Sequence, residues 1–159
     1  MRFVDANIFI KWITARKKSL SLESAISGYI LRRIRDGELA VTTTLVKDEV
    51  MIWLSRYRAS ELVRFIRAIR ALASLKIVCP TLEDEENAAK MIKDIPLGFS
   101  DLVNLAVMKR FGISEIYTLD KGFLRAGVKV IFWDLKDEPG FQEFIEELKS
   151  AGFSIVFDL

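Results

Sequence analysis

Apolar positions along the chain follow two alternating rhythms. Short β-branched runs, RFV (2–4), LAVTT (39–43), KIVC (76–79), EIYTL (115–119), KVIFW (129–133) and SIVF (154–157), read as strands. Between them lie longer segments with a three-to-four-residue apolar spacing, which read as helices. Helices are expected over 21–36 with Gly37 at the C-cap, over 45–56 and over 60–75. Further helices start after an N-capping Thr81, cover 101–111 with Ser100 as cap and Gly112 as stop, and cover 142–151. DEPGF (137–141) is the clearest loop. Strands alternating with helices predict an α/β fold, a central, mostly parallel β-sheet flanked by helices on both faces. No repeat or long linker divides residues 1–159, so a single domain is expected.

Acids interrupt this pattern where chemistry is easiest to build. In open parallel sheets, ligands bind beyond the carboxyl ends of the strands, where the strand order reverses. Asp5 closes RFVD and Asp120 closes EIYTLD, so neighbouring first and fourth strands would bring both carboxylates to one rim. Asp134, after VIFW, leads into the charged LKDE and reads as an exit to solvent. On the 45–56 helix, Glu49 shares a face with Leu45, Ile52 and Trp53, which makes it a misplaced charge. Leu102, Val103, Leu105, Ala106, Val107 and Met108 surround the 101–111 helix with apolar surface, and Asp101 and Asn104 share its one polar edge.

Composition narrows what these acids can do. The 159 residues are 51% hydrophobic and 29% charged, as in an ordinary folded globule, and contain no histidine. Imidazole metal ligands, Ser-His-Asp or Cys-His catalysis and histidine bases are thereby excluded. An ionised carboxylate in an apolar setting is costly, and several together raise one another's pKa unless a cation enters. Oxygen ligands without imidazole or thiolate suit Mg²⁺ or Mn²⁺, which can activate water and hold phosphate oxygens. The net charge of +2 does not announce a nucleic-acid binder by bulk electrostatics. No apolar run approaches the roughly 20 residues of a membrane helix, and Asp5 breaks any signal-peptide pattern, so a cytoplasmic protein is expected. Cys79 reads as a small buried hydrophobe.

In this order along the chain, the motifs resemble the PIN-domain family. VDANIFI resembles its opening strand with Asp5 and Asn7, and TTTLVKDEVMIWL its hydroxyl-rich strand end and the helix bearing Glu49. GFSDLVNLAVMKRFGISEIYTLDKGF resembles its third and fourth acidic motifs, with Asp101 opening a helix and Asp120 between Thr118 and Phe123 in a T-x-D-x-x-F pattern. The resemblance covers about residues 1–133, and 134–159 forms a helix-strand extension that the shortest members lack. It implies a Mg²⁺- or Mn²⁺-dependent ribonuclease with Asp5, Glu49, Asp101 and Asp120 as catalytic metal ligands. Asn7, Ser100 and Thr118 would support them; Asn104, on the same edge as Asp101, is a further candidate. Many small members are VapC-type toxins, which implies an RNA substrate, an antitoxin partner and a homodimer. One departure stands out: Lys121 and Gly122 lie where many members carry a further acid, which supports one metal site more firmly than a second. A fold-retaining binding module and an RNA-processing nuclease outside a toxin–antitoxin system are the alternatives.

Each residue also has a structural reading. Asp5 can be a helix cap, Glu49 a partner of Arg56, and Asp101 a complement to its helix dipole. Asn104 can bond backbone, and Thr118 can be strand filling. Arg64, Arg67 and Arg70, three residues apart, read as a solvated helix face in preference to a phosphate grip, and Trp12 and Trp53 as packing residues.

Overall fold

The computed structural model describes residues 1–158. Five short parallel strands form the sheet: β1 (Arg2–Val4), β2 (Ala40–Thr43), β3 (Leu75–Val78), β4 (Glu115–Tyr117) and β5 (Lys129–Ile131), in the spatial order β3-β2-β1-β4-β5. β1 pairs with β2 on one side (Phe3 beside Val41) and with β4 on the other (Val4 beside Tyr117). The chain therefore reverses its winding at β1, and the crevice between β1 and β4 is the switch point where such sheets take ligands. Phe3, Val4, Ala40, Val41, Ile116 and Tyr117 are fully buried, which explains why these strands are apolar without alternation.

Seven helices flank the sheet: α1 (Ala6–Ile13), α2 (Leu22–Arg35), α3 (Thr44–Tyr57), α4 (Leu62–Ala71), α5 (Leu82–Met91), α6 (Phe99–Arg110) and α7 (Pro139–Ser150). The expected helix after Thr81 begins with a capping box. The Thr81 hydroxyl accepts from the Asp84 amide, and the Asp84 carboxylate accepts from the Thr81 amide. The same carboxylate, only 2% exposed, accepts two hydrogen bonds from Arg110 at 2.9 and 2.8 Å and so ties α5 to the end of α6.

The structure corrects several expectations. The apolar stretch after Asp5 is helix α1, because three strand residues already bring the chain to the sheet edge and Asp5 caps the helix that begins at Ala6. Ser154–Phe157 does not become a sheet strand, since Ile155 makes only an isolated parallel bridge to Leu20. Pro139 occupies the first turn of α7, where its missing N–H costs nothing, so the loop expected over 137–141 is already helical at 139. The helix expected over 60–75 ends at Ala71, which frees Leu75 to start β3. Cys79 is exposed.

The extension folds back on the front of the domain. Trp12 stacks on Phe153 with ring centroids 6.0 Å apart and also meets Phe144, while Tyr29 packs edge-on against Phe141. A side chain at position 28 would collide with the Trp12 ring, so Gly28 is what lets α1 approach α2. Between α1, α2, α4 and α7 lies a groove of about 660 Å³ floored by apolar side chains including Phe9, Phe65 and Leu72.

Candidate active site

Four carboxylates arrive at the carboxyl edge of the sheet from four different elements. Asp5 follows β1, and its backbone N–H donates to the Tyr117 carbonyl at 3.1 Å, extending the β1–β4 pairing by one residue. Its side chain is 5% exposed. One carboxylate oxygen accepts from the Ala6 amide at 2.8 Å; the other accepts from the Thr118 hydroxyl at 2.6 Å and the Asn7 amide at 3.3 Å. The helix-cap reading and the site reading of Asp5 are thus both true, because capping α1 fixes the carboxylate at the switch point.

Asn7 and Thr118 complete this holder. The Asn7 amide nitrogen donates to the Thr118 hydroxyl at 3.1 Å, and its oxygen accepts from the Leu119 amide at 3.2 Å. Thr118 accepts in turn from the Asp120 amide at 3.0 Å. Asp120 caps the short 3₁₀ turn Lys121–Arg125 by accepting from the Gly122 amide at 2.8 Å. A Cβ at position 122 would stand 2.7 Å from Leu97 and 3.1 Å from the Asp120 carboxylate. The departure at Gly122 therefore has a local cause, since glycine lets this turn close around Asp120.

Glu49 and Asp101 come from α3 and α6. On α3 the core face is Val46, Val50 and Leu54, whereas Ile52 is 55% exposed; Glu49 thus lies on the rim and not on a buried apolar face as its sequence neighbours suggest. It makes no ion pair with Arg56. Asp101 is in the first turn of α6, whose buried surround from Leu102 to Met108 matches the expected pattern. Ser100 does not cap this helix: Gly98 holds that position, and Ser100 is exposed without a side-chain hydrogen bond. Asn104 is buried one turn on and accepts from the Thr43 hydroxyl at 2.6 Å. Thr43 also caps α3 through the Val46 amide, so it couples the helix of Glu49 to that of Asp101. In the sequence Thr43 is one of three strand-end hydroxyls, and only its buried contact with α6 reveals its part. Asp134 is exposed and accepts from the Phe132 amide at 3.3 Å, in keeping with an exit to solvent.

The electrostatics link these acids. Burial pushes the Asp101 carboxyl up to about 7, with Asp5, Asp120 and Glu49 adding repulsion in that order. Burial also raises Asp5, and Asp120 adds to it, against the lowering hydrogen bonds from Thr118 and Ala6. Glu49 is raised by burial and then by Asp5. Among the described residues no Lys or Arg lies within 4.0 Å of any of the four. No three of the described acids are grouped to grip a single ion directly. That donor set fits a hard cation that takes one or two carboxylates and keeps several waters.

The repulsion has a measurable consequence in metal-free protein. A carboxyl raised from its ordinary 3.8 to about 7 favours the fold only while protonated. The destabilisation therefore grows above about pH 4 and is complete above about pH 7. Asp101→Asn removes it, and after discounting for solvent screening the gain at pH 8 is about 1 kcal/mol. Thermal melting in EDTA should show the variant more stable than wild type at pH 8, with the gap shrinking toward pH 4.5.

A parallel five-stranded α/β sheet with carboxylates gathered at its switch point has them where such sheets take ligands. The chain belongs to the PIN-domain family, whose model matches residues 2–129. Its fold is similar to that of Mycobacterium tuberculosis VapC20, described as a sarcin-ricin loop cleaving toxin, at 19% identity and a TM-score of 0.68, covering 83% of this chain and 99% of that one. It is also similar to a chain of a toxin–antitoxin complex from Klebsiella pneumoniae (20% identity, TM-score 0.59, 82% of this chain and 96% of that one). A third similar fold occurs in FitAB bound to an IR36 DNA fragment (13% identity, TM-score 0.64, 82% and 94%). No curated protein matches the chain by sequence. Among the described residues no helix is long and apolar enough to cross a membrane.

Proposed function

We propose that this chain is a Mg²⁺- or Mn²⁺-dependent endoribonuclease and the toxin of a toxin–antitoxin pair. The observation that carries this reading is the convergence of Asp5, Glu49, Asp101 and Asp120 without a compensating cation. The cleaving activity named for VapC20 and the toxin–antitoxin complexes among the similar folds support it. Asp5 and Asp101 would hold the ion directly, and Glu49 and Asp120 would complete its surroundings, one of them through water. A divalent ion held by these residues would supply an acidified water and charge stabilisation at a phosphate oxygen. The chain's own polar groups do the rest: Thr118, Asn7 and the Ala6 amide hold the Asp5 carboxylate in one orientation, and the Gly122 amide orients Asp120.

The apolar groove between α1 and α4 suits an apolar segment of an antitoxin, and Leu45 with exposed Ile52 on the outer side of α3 offers a patch for a second copy. A fold-retaining binding module is the second reading, favoured by the missing acid at Lys121 and Gly122.

Mn²⁺ separates the two. At a hundred times its Kd, an ion bound only by the folded state stabilises by about 2.7 kcal/mol, so the wild-type melting temperature should rise by several degrees. RNA cleavage should appear with Mn²⁺ or Mg²⁺ and vanish in EDTA. Tight Mn²⁺ binding without cleavage of any RNA, or no response to Mn²⁺ at all, counts against the enzyme.

A further inference from the structure

The charge of this protein is unevenly distributed. Residues 56–76 contain six Lys or Arg and a single acid, Glu61, although the whole chain is only +2. Helix α4 turns Phe65 and Ile69 into the core and Arg64, Arg67 and Arg70 to solvent. Arg64 has a loose partner, Glu61, at 3.6 Å. Among the described residues Arg56, Arg58, Arg67 and Arg70 have no acid within 4.0 Å. Every other arginine of the chain except Arg16 and Arg125 is tied to a carboxylate, as Arg2, Arg32, Arg33, Arg35 and Arg110 are. A merely solvated face in this protein tends to balance its charges, and this one does not.

The row also has a position. Phe65 packs edge-on against Phe9, with centroids 5.8 Å apart, and Phe9 lies one turn beyond Asp5 on α1. Arg64, Arg67 and Arg70 stand on the solvent side of α4 and span about 9 Å along it, at 1.5 Å per residue. At the last residue of α3, Tyr57 is 64% exposed, flanked by Arg56 and Arg58, and braced by Trp53 at a centroid distance of 5.1 Å. A braced, exposed ring among unpaired guanidinium groups suits the bases and phosphates of a single-stranded nucleic acid better than an acidic protein surface, which needs no stacking platform.

We propose that α4, with Arg58 and Tyr57, is a docking face for single-stranded RNA, binding its backbone without reading sequence. It rests on the ribonuclease reading for the identity of the polyanion. The solvated face expected from the sequence becomes a phosphate track because tertiary folding leaves Arg67 and Arg70 without acids.

The test is anisotropy of a fluorescein-labelled single-stranded RNA 12-mer with the full chain in EDTA, from 50 to 200 mM KCl. Losing two phosphate contacts in R67Q/R70Q should flatten the log Kd against log salt slope by about 1.4, at about 0.7 per contact, and weaken binding about tenfold at 100 mM. Glutamine keeps the helix, so the melting temperature should stay within about 3 °C of wild type. An unchanged slope and affinity in a folded R67Q/R70Q protein overturns the proposal, and is the result a face for an acidic protein would give. Failure of the nuclease reading is separate: wild type would cleave no RNA with Mn²⁺, whereas binding in EDTA still decides the docking face.

Discussion

Asp101→Asn protein is expected to cleave RNA about a thousandfold more slowly than wild type or worse, equivalent to about 4 kcal/mol of lost transition-state stabilisation. Asparagine has the same shape, keeps one acceptor oxygen and removes the charge on which an ion depends. The variant should also melt higher than wild type in EDTA at pH 8, since the charge it removes is repelled by Asp5, Asp120 and Glu49. Loss of activity joined to a gain in stability is the signature of a functional acid, because a structural one would lose both. Asp5→Asn should be equally inactive but less stable. Whichever way its amide is turned, a nitrogen donor replaces an oxygen that now accepts from Ala6 or from Thr118 and Asn7. More than a tenth of wild-type cleavage in Asp101→Asn would end the case for this site.

Asp84→Ala should give the largest loss of stability outside the core, about 2–3 kcal/mol by urea unfolding at pH 7. It removes the α5 capping box and leaves Arg110, 38% exposed at its side chain, without its bidentate partner. Arg110 first, then the Thr81 bonds, hold the Asp84 carboxyl below its usual range. Its contribution is therefore full at neutral pH and is lost as pH falls through that depressed value, so wild type and variant should converge in acid. Because α5 braces the helix that presents Asp101, the variant should keep its activity at low temperature and lose it earlier on heating. A difference under about 1 kcal/mol at pH 7 would refute this role.

Both predictions turn on acids whose surroundings the sequence describes unequally. Asp5, Asp101 and Asp120 stand out because a charge in an apolar run needs a reason, and Thr118 and Asn7 stand beside them in the chain. Glu49 reads from its sequence neighbours as a charge on an apolar face, whereas in the fold it is a rim residue and the core side of α3 belongs to Val46, Val50 and Leu54. Ser100 and Asn104 looked alike as polar neighbours of Asp101. One is exposed and the other is buried against Thr43, 61 positions earlier in the chain.

Local chemistry determined much of this protein by itself: the alternation of strands and helices, the Thr81 cap, the apolar girth of α6, and the absence of histidine that turns any metal chemistry to carboxylates. Those features depend on residues within a turn or two of each other, and their physics is complete in the sequence. Tertiary structure decided what depends on distant partners. It set the strand order that makes β1 the switch point, ended β1 after three residues, kept SIVF out of the sheet and exposed Cys79. It also joined Thr43 to Asn104 and left Arg67 and Arg70 of α4 without acids. Burial and pairing are properties of the folded assembly, so the same arginine row reads as ordinary surface until the rest of the chain has taken its place around it.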